Sequence, residues 1–264
     1  MTDSSRDVVP HRVRCGEIWG GNRGDQLEVV TSGVRASLFS RACDGERGGD
    51  VYYFSVCNQD LLTRVAILDV VGHGEGVADV SSWLHESLVR QMNAVDGSVV
   101  LDRLNGLATG KGEHTMATAA VAAFYRADSQ LYVSYAGHNE LLCCRRGGNA
   151  WRSLHPTDTD DLCGLPLGVT DGCRFHQDSF PCSVGDRLFL FTDGLPEAMD
   201  GAGVQFGMGR LLAVLDSARH APVSQLRQAV LEALMAHTGG GWGHDDVTFM
   251  AIEIAAGGES ASDP

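Results

Sequence analysis

The chain is short of basic residues. It has 20 lysines and arginines against 34 aspartates and glutamates, so 20 − 34 leaves −14 with histidine neutral. Such a surplus of negative charge repels phosphate backbones and anionic lipid at long range, so neither nucleic acid nor a membrane surface is an expected partner. A long apolar run is also missing: no stretch approaches the roughly 20 residues needed to cross a bilayer. The N-terminal "MTDSSRDVVPHRVR" has no apolar signal core and no amphipathic arginine-rich transit pattern, which leads to the expectation of a cytoplasmic protein. Nor is there a dinucleotide fingerprint, because "GHGEGV" puts Val77 where the third glycine of G-x-G-x-x-G would stand. Cysteine itself is plentiful, at eight, but no pair has C-x-x-C spacing and the neighbours Cys143 and Cys144 cannot easily share one zinc. The cysteines are therefore read as reduced thiols, several of them small core residues, in a reducing compartment.

What is present is a globular composition over 264 residues, 44% hydrophobic and 20% charged. Short apolar or alternating runs dominate: "RASLFSRAC", "VYYFSVC", "RVAILDV", "AAVAAFYR", "LYVSYAG", "LLCCRR", "RLFLFTD" and "VTFMAIEI" read as strands. Two of them flank Ala127-Asp128-Ser129-Gln130, a link of hairpin length, which argues for antiparallel pairing. Helical spacing appears in residues 76–108, through Val80, Trp83, Leu84, Leu88 and Met92, and again in 207–237, broken at Pro222. Strands and helices are segregated rather than strictly alternating, so the expected class is α+β. One domain is expected over residues 14–255, with a flexible N-terminus (1–13) and a flexible C-terminal tail (256–264). The stretch "CGEIWGGNRGD" (Cys15 to Asp25) is expected to start the first sheet.

Four acidic positions share one context, the junction of a strand with a glycine-containing loop. They are Asp50 in "GGDVYYFSV", Asp69 in "AILDVVGHGEG", Asp193 in "LFLFTDG", and the pair Asp245-Asp246 in "GHDDVTFM". A carboxylate at the end of a buried strand is costly unless paired or liganded, and few lysines or arginines lie nearby in the sequence. Clustered in space, these groups would repel one another and call for cations. Hard divalent ions such as Mg²⁺ and Mn²⁺ take carboxylate, carbonyl and water oxygens, and a bridging carboxylate can hold two of them with a water between. Taken singly, each aspartate is better read as a turn former or a helix N-cap; it is the recurrence of four in matching contexts that favours metal.

Taken in order, "GGDVYYF", "LDVVGHGEGV", "YAGHNELL", "LPLGV", "VGDRLFLFTDGLPEAMD", "QFGMGRL" and "GHDDVTFMAIEI" resemble the bacterial SpoIIE-like branch of the metal-dependent protein phosphatases, the PPM superfamily. The resemblance covers about residues 40 to 255. It implies a four-layer α-β-β-α sandwich of two mainly antiparallel sheets flanked by helices, with two Mn²⁺ or Mg²⁺ ions in a cleft at one edge. By motif, Asp50 and Asp69 are the implied central ligands, with Asp69 bridging and the Val70 carbonyl completing one shell. Asp193 and Asp245 would hold the second ion, with Asp245 preferred over Asp246 because related sequences keep the ligand at that position. The implied activity is hydrolysis of phosphoserine or phosphothreonine on a regulatory protein, such as an anti-sigma-factor antagonist, by in-line attack of a metal-bridging water. His73 lies four residues past Asp69 rather than two and is a candidate general acid. His138 and Asp246 are candidates for supporting roles behind the ligands. Arg41 and Arg47 precede Asp50 and are the nearest candidates for gripping phosphate.

Two other readings stay open on sequence alone. One is a catalytically silent binding module that keeps the sandwich to hold a phosphoprotein or regulator, although such a scaffold would be expected to have lost a ligand aspartate. The other is a metal-dependent hydrolase of small phosphoesters, or a nuclease, the latter disfavoured by charge. A separate regulatory protein is a further expected partner; the helices of residues 76–108 follow directly from the Asp69 loop, so a partner shifting them could move a ligand.

Overall fold

The computed structural model describes residues 10–13, 15–20, 25–43, 47–57, 61–72, 74–112, 115–155, 164–241 and 244–256. Its strands form two sheets. In spatial order the seven-stranded sheet contains β1 (His11–Arg12), β3 (Asp25–Val30), β4 (Val34–Arg41), β13 (Val247–Ile254), β12 (Arg187–Phe191), β9 (Leu142–Cys144) and β10 (Arg152–Ser153). The six-stranded sheet contains β11 (Asp178–Pro181), β8 (Gln130–Ala136), β7 (Ala117–Tyr125), β6 (Leu62–Val70), β5 (Val51–Cys57) and β2 (Gly16–Gly20). Pairing between neighbours is antiparallel except for β1, which runs parallel to β3. This ladder begins at His11, inside the segment that composition assigned to a loose N-terminus.

The central strands read as nearly unbroken apolar runs because both of their faces are covered. One face of each sheet meets the other sheet, where Phe54, Ile67, Val133, Leu190 and Met250 pack in a common core. The outer face of the six-stranded sheet carries Tyr53, Ala66 and Leu68 against α1 (Ala78–Gln91) and α2 (Gly97–Lys111), through Leu84, Leu88, Leu101 and Leu104. The outer face of the seven-stranded sheet carries Phe39, Phe189, Phe191 and Phe249. Against it pack the short α3 (Gly194–Glu197), α4 (Gly207–Ser217) and α5 (Val223–Thr238). The architecture is the expected α-β-β-α sandwich. No helix among the described residues is long and apolar enough to cross a membrane.

Local chemistry explains the breaks. The helical spacing of residues 76–108 is interrupted after Gln91, and α2 restarts with Asp96 as N-cap, its side chain accepting the Ser98 N–H at 2.8 Å. Pro222 precedes the first residue of α5, where its missing N–H costs nothing, and Gly239 ends that helix in the left-handed region at φ 68°. In the β7–β8 hairpin, Asp128 accepts the Gln130 N–H at 2.9 Å while Ser129 takes φ 56°, so a local Asx turn sets the reversal.

The aromatic cluster of the outer core gives the first test. Phe189 is fully buried, with ring centroids 5.7 Å from Phe249 and 5.9 Å from Phe191. Phe189→Ala is expected to lower stability by about 3–5 kcal/mol, read from the shift of the urea midpoint at constant slope. A loss under about 1 kcal/mol would mean that this layer is not closely packed.

Candidate active site

Strand register brings the first two carboxylates together. β5 and β6 pair with Val51 opposite Leu68, and the next step of the same register sets Asp50 opposite Asp69. In the other sheet, β12 and β13 pair with Phe191 opposite Phe249, and their extensions run on side by side. There the Thr192 N–H donates to the Thr248 carbonyl at 2.9 Å, and the Thr248 N–H donates to Thr192 Oγ1 at 3.0 Å. Asp193 and Asp245 follow at that rim.

Side-chain contacts join the two sheets at this edge. Thr192 Oγ1, from the β12 extension, donates to Asp50 Oδ2 at 2.9 Å. Thr248 Oγ1 is linked to Ser40 Oγ at 2.8 Å, which anchors the same corner to β4. Asp50 is 1% exposed, and its other oxygen, Oδ1, is buried with no hydrogen-bond partner. A buried, unpaired carboxylate oxygen is costly, so this atom is a ready ligand for a cation.

The electrostatics agree. Asp69 is pushed up to about 10, first by burial, then by the negative charges of Asp50 and Asp193, by a hydrogen bond with Asp193, and by the charge of Asp245. Asp50 is held well above the usual carboxylate range by burial, opposed by hydrogen bonds from Thr248 and Thr192 and reinforced by Asp246 and Asp245. Carboxylates from both sheets thus lie within electrostatic reach of one another. Among the described residues, no three acidic, histidine or cysteine side chains already converge on one ion-sized point. A divalent cation held between these carboxylates would offset their mutual repulsion.

Asp246 has a different task from its neighbour. Its Oδ1 accepts the Cys43 N–H at 2.9 Å and its Oδ2 accepts the Gly49 N–H at 2.6 Å, so it clasps both ends of the loop that leads into Asp50. Gly49 in turn lies against Val70: a Cβ there would meet the Val70 carbonyl oxygen at 3.1 Å. At Gly194 a Cβ would come within 1.9 Å of the Asp246 carbonyl oxygen, which is why glycine follows Asp193. His138 stands near Asp193; burial lowers its pKa, Nδ1 faces the Asn139 carbonyl at 3.0 Å, and Nε2 is buried without a partner. Arg47 is turned away from phosphate duty, its guanidinium engaged with the Ala78 carbonyl and Ser82 Oγ of α1. His73 lies outside the described residues. Two participants escaped sequence reasoning: Thr192, although it stands inside the quoted "FTDG", and Arg47 in its role as a tie to α1.

The family model for Stage II sporulation protein E (SpoIIE) matches residues 60–255, more than half of the chain. The chain belongs to the SpoIIE family, within the PPM superfamily of protein phosphatases. It is 25% identical over 233 residues to the phosphoserine phosphatase RsbP of Bacillus subtilis, covering 86% of this chain and 54% of that protein. The chain therefore spans about half the length of that curated relative. Among solved structures, the RsbU and RsbW domains of Rv1364c from Mycobacterium tuberculosis align with a TM-score of 0.71 at 25% identity, over 85% of this chain and 60% of that one. The SiaA-PP2C domain of Pseudomonas aeruginosa aligns with a TM-score of 0.70 at 20% identity, over 83% and 85%. Members of this superfamily depend on divalent metal, and the residues at the sandwich edge suit it: hard oxygen donors, an orphaned buried carboxylate oxygen, and glycines that leave a carbonyl accessible.

Two tests follow from this geometry. Thr192→Val removes the hydroxyl that donates to Asp50 Oδ2 and is expected to weaken Mn²⁺ binding by about 10- to 100-fold in calorimetric titration, with the fold kept. Unchanged affinity would show that Asp50 is oriented by other means. The second concerns pH. A carboxylate raised from 3.8 to about 10 makes the folded state hold a proton that the unfolded state has lost, so its contribution is full below the lower value and fades through the higher. Protein kept in EDTA should therefore melt at progressively lower temperature from about pH 7 to about pH 9, and saturating Mn²⁺ should flatten that slope. Rising melting temperatures in EDTA would contradict it.

Proposed function

We propose that the protein is a Mn²⁺- or Mg²⁺-dependent serine/threonine phosphatase that hydrolyses phosphoserine or phosphothreonine on a regulatory protein. The observation that carries this reading is the meeting of Asp50, Asp69, Asp193 and Asp245 at one sandwich edge, with Asp50 Oδ1 buried and unpartnered. Asp50, Asp69 and the Val70 carbonyl would hold one ion, Asp193 and Asp245 a second, and Asp69 would bridge. Bound there, divalent cations supply acidification of water and neutralisation of the phosphoryl oxygens.

The remaining work falls to the chain. Thr192 holds Asp50 in one orientation through its hydroxyl. Asp246 fixes the loop before Asp50 and so sets the approach of Gly49 to the Val70 carbonyl. Glycine at 49 lets the loop approach the Val70 carbonyl, and glycine at 194 lets the chain after Asp193 pass the Asp246 carbonyl. His138, kept neutral by burial, would support Asp193 from behind. His73 is the candidate to hold the proton delivered to the departing seryl oxygen. The relatives are named as a phosphoserine phosphatase and as the RsbU and RsbW domains of one protein, which supports a phosphoprotein of a partner-switching regulatory system as the substrate class. Location in the cytoplasm is part of the same proposal.

The experiment is hydrolysis of an aryl phosphate and of phosphoserine peptides with Mn²⁺, with Mg²⁺, with EDTA, and by Asp69→Asn. Activity is expected with either ion, none in EDTA, and a loss of at least about 1,000-fold in Asp69→Asn. Turnover in EDTA, or undiminished turnover in the variant, would sink the mechanism. A well-folded protein that binds Mn²⁺ and a phosphopeptide without cleaving it would point to the silent binding module instead.

A further inference from the structure

The strand that starts at Asp50 ends, at its opposite tip, in a thiol with unusual company. Cys57 closes β5, seven residues from Asp50 and on the order of 20 Å away along an extended strand. The edge strand β2 pairs with β5 so that Gly16 lies opposite Val56, Glu17 opposite Ser55 and Ile18 opposite Phe54. The ladder stops at Gly16, with Cys15 at a bend just before it, and continuing this register by one step would set Cys15 opposite Cys57. Directly paired residues of an antiparallel ladder have Cβ atoms about 4.5–5.5 Å apart and project to the same face. Residues paired in this way have Cα atoms about 4.5–5.5 Å apart, within the range that disulfides span. Both thiols are free, Cys15 exposed and Cys57 half-buried.

The second observation is Arg64, on the neighbouring strand β6. Its side chain is buried, the residue being 7% exposed, and Nη1 donates to Cys57 Sγ at 3.4 Å while Nε has no partner. Among the described residues no carboxylate forms an ion pair with it. A buried guanidinium without an anion is destabilising, and the Cys57 sulfur is the group that its Nη1 reaches. Glu17, which shares a cross-strand row with Ser55 and Arg64, accepts the Tyr53 hydroxyl at 2.9 Å.

We propose that Cys15 and Cys57 form a redox-modifiable dithiol, oxidised by a hydroperoxide to a disulfide that fastens the edge strand β2 to β5. In the first step the Cys57 thiolate sulfur attacks one peroxide oxygen. An S–O bond forms, the O–O bond breaks, sulfur gives up two electrons, and the departing hydroxide takes a proton to become water. The Cys15 thiolate, its proton passed to solvent, then attacks the Cys57 sulfenic sulfur. The S–S bond forms as the S–O bond breaks, and the released hydroxide is protonated to a second water. Two thiols and one peroxide thus become one disulfide and two waters. Arg64 holds the thiolate in place for the first step. The deeper cysteines are poorly suited to compete: burial pushes the Cys143 thiol up to about 11 and the Cys182 thiol up to about 12.

The site lies at the far end of the strand from the metal-binding edge, so it can be tested without disturbing the proposed catalytic groups. Purified, reduced protein is treated with hydrogen peroxide, alkylated and digested with trypsin. The expected product is a dithiothreitol-sensitive species joining residues 15–23 to residues 48–64, absent in Cys15→Ser and in Cys57→Ser. In Cys15→Ser, dimedone should label Cys57 at least about tenfold faster than any other cysteine. Arg64→Lys, which keeps the charge, should retain most of that rate, whereas Arg64→Gln should lower it by about tenfold or more. A crosslink that joins other cysteines, faster labelling of Cys43, or oxidation of Cys57 that never engages Cys15 would each overturn the proposal. Because Cys15 is exposed, its serine variant tests the chemistry even if substitutions at buried Arg64 unfold the protein.

Discussion

The structure depends on a repulsion. Carboxylates from two different sheets are brought to one rim, where unit charges a few ångströms apart oppose one another by several kcal/mol at an effective dielectric near 20. Asp50 and Asp69 come from adjacent strands of one sheet, and Asp193 and Asp245 from the central pair of the other, so the closing of the sandwich is what forces the groups together. Burial first, and then the neighbouring negative charges, favours the protonated forms of Asp69 and Asp50, and those protons relieve the repulsion partly. Divalent cations would relieve it fully, and then the same rim becomes a place where phosphate oxygens are welcome. Metal dependence and fold are in this sense a single constraint.

Everything around the rim serves to hold that unfavourable arrangement. Three apolar cores, one between the sheets and one under each helical layer, bury the strands that deliver the aspartates. Directional contacts then fix the delivery. Thr192 ties the sheets through Asp50, and Asp246 ties residues about 200 positions earlier in the chain through two backbone N–H groups. An apolar core can locate a strand, but only such contacts can aim a carboxylate. This explains why adjacent aspartates at 245 and 246 behave so differently: one faces the rim, while both oxygens of the other are committed to loop amides.

Much of this was legible in the sequence. The eight strand runs all appear as strands, the helical blocks fall where 3.6-residue spacing placed them, and Pro222 divides the second block. Strand-end aspartates flanked by glycine are legible because burial makes them improbable unless they serve together. Other features were hidden for physical reasons. The two-residue β1 and the short β10 and β11 have too few residues to show a period. The Thr192–Asp50 bond joins positions 142 apart, and no local pattern announces such a partner. Gly194 reads as an ordinary turn glycine until the Asp246 carbonyl is seen where its Cβ would be. The cysteines divide in the same way. Cys143, Cys144, Cys173 and Cys182 are buried small residues as composition suggested, whereas Cys15 is exposed and Cys57 only half-buried at a strand tip.

Strand β5 joins these two kinds of chemistry. Its residues Val51 to Val56 are all buried, leaving no slack along its length, while each end carries a group whose charge the surroundings must manage. At one end a buried acid keeps one oxygen without a hydrogen-bond partner, and at the other a buried arginine has no carboxylate partner among the described residues. The sandwich tolerates both because its interior contacts, spread over three cores, exceed what either end costs. Sites of reactivity therefore fall at the tips of the best-packed strands, where the backbone is rigid enough to hold a strained electrostatic arrangement and open enough for a ligand or oxidant to reach it.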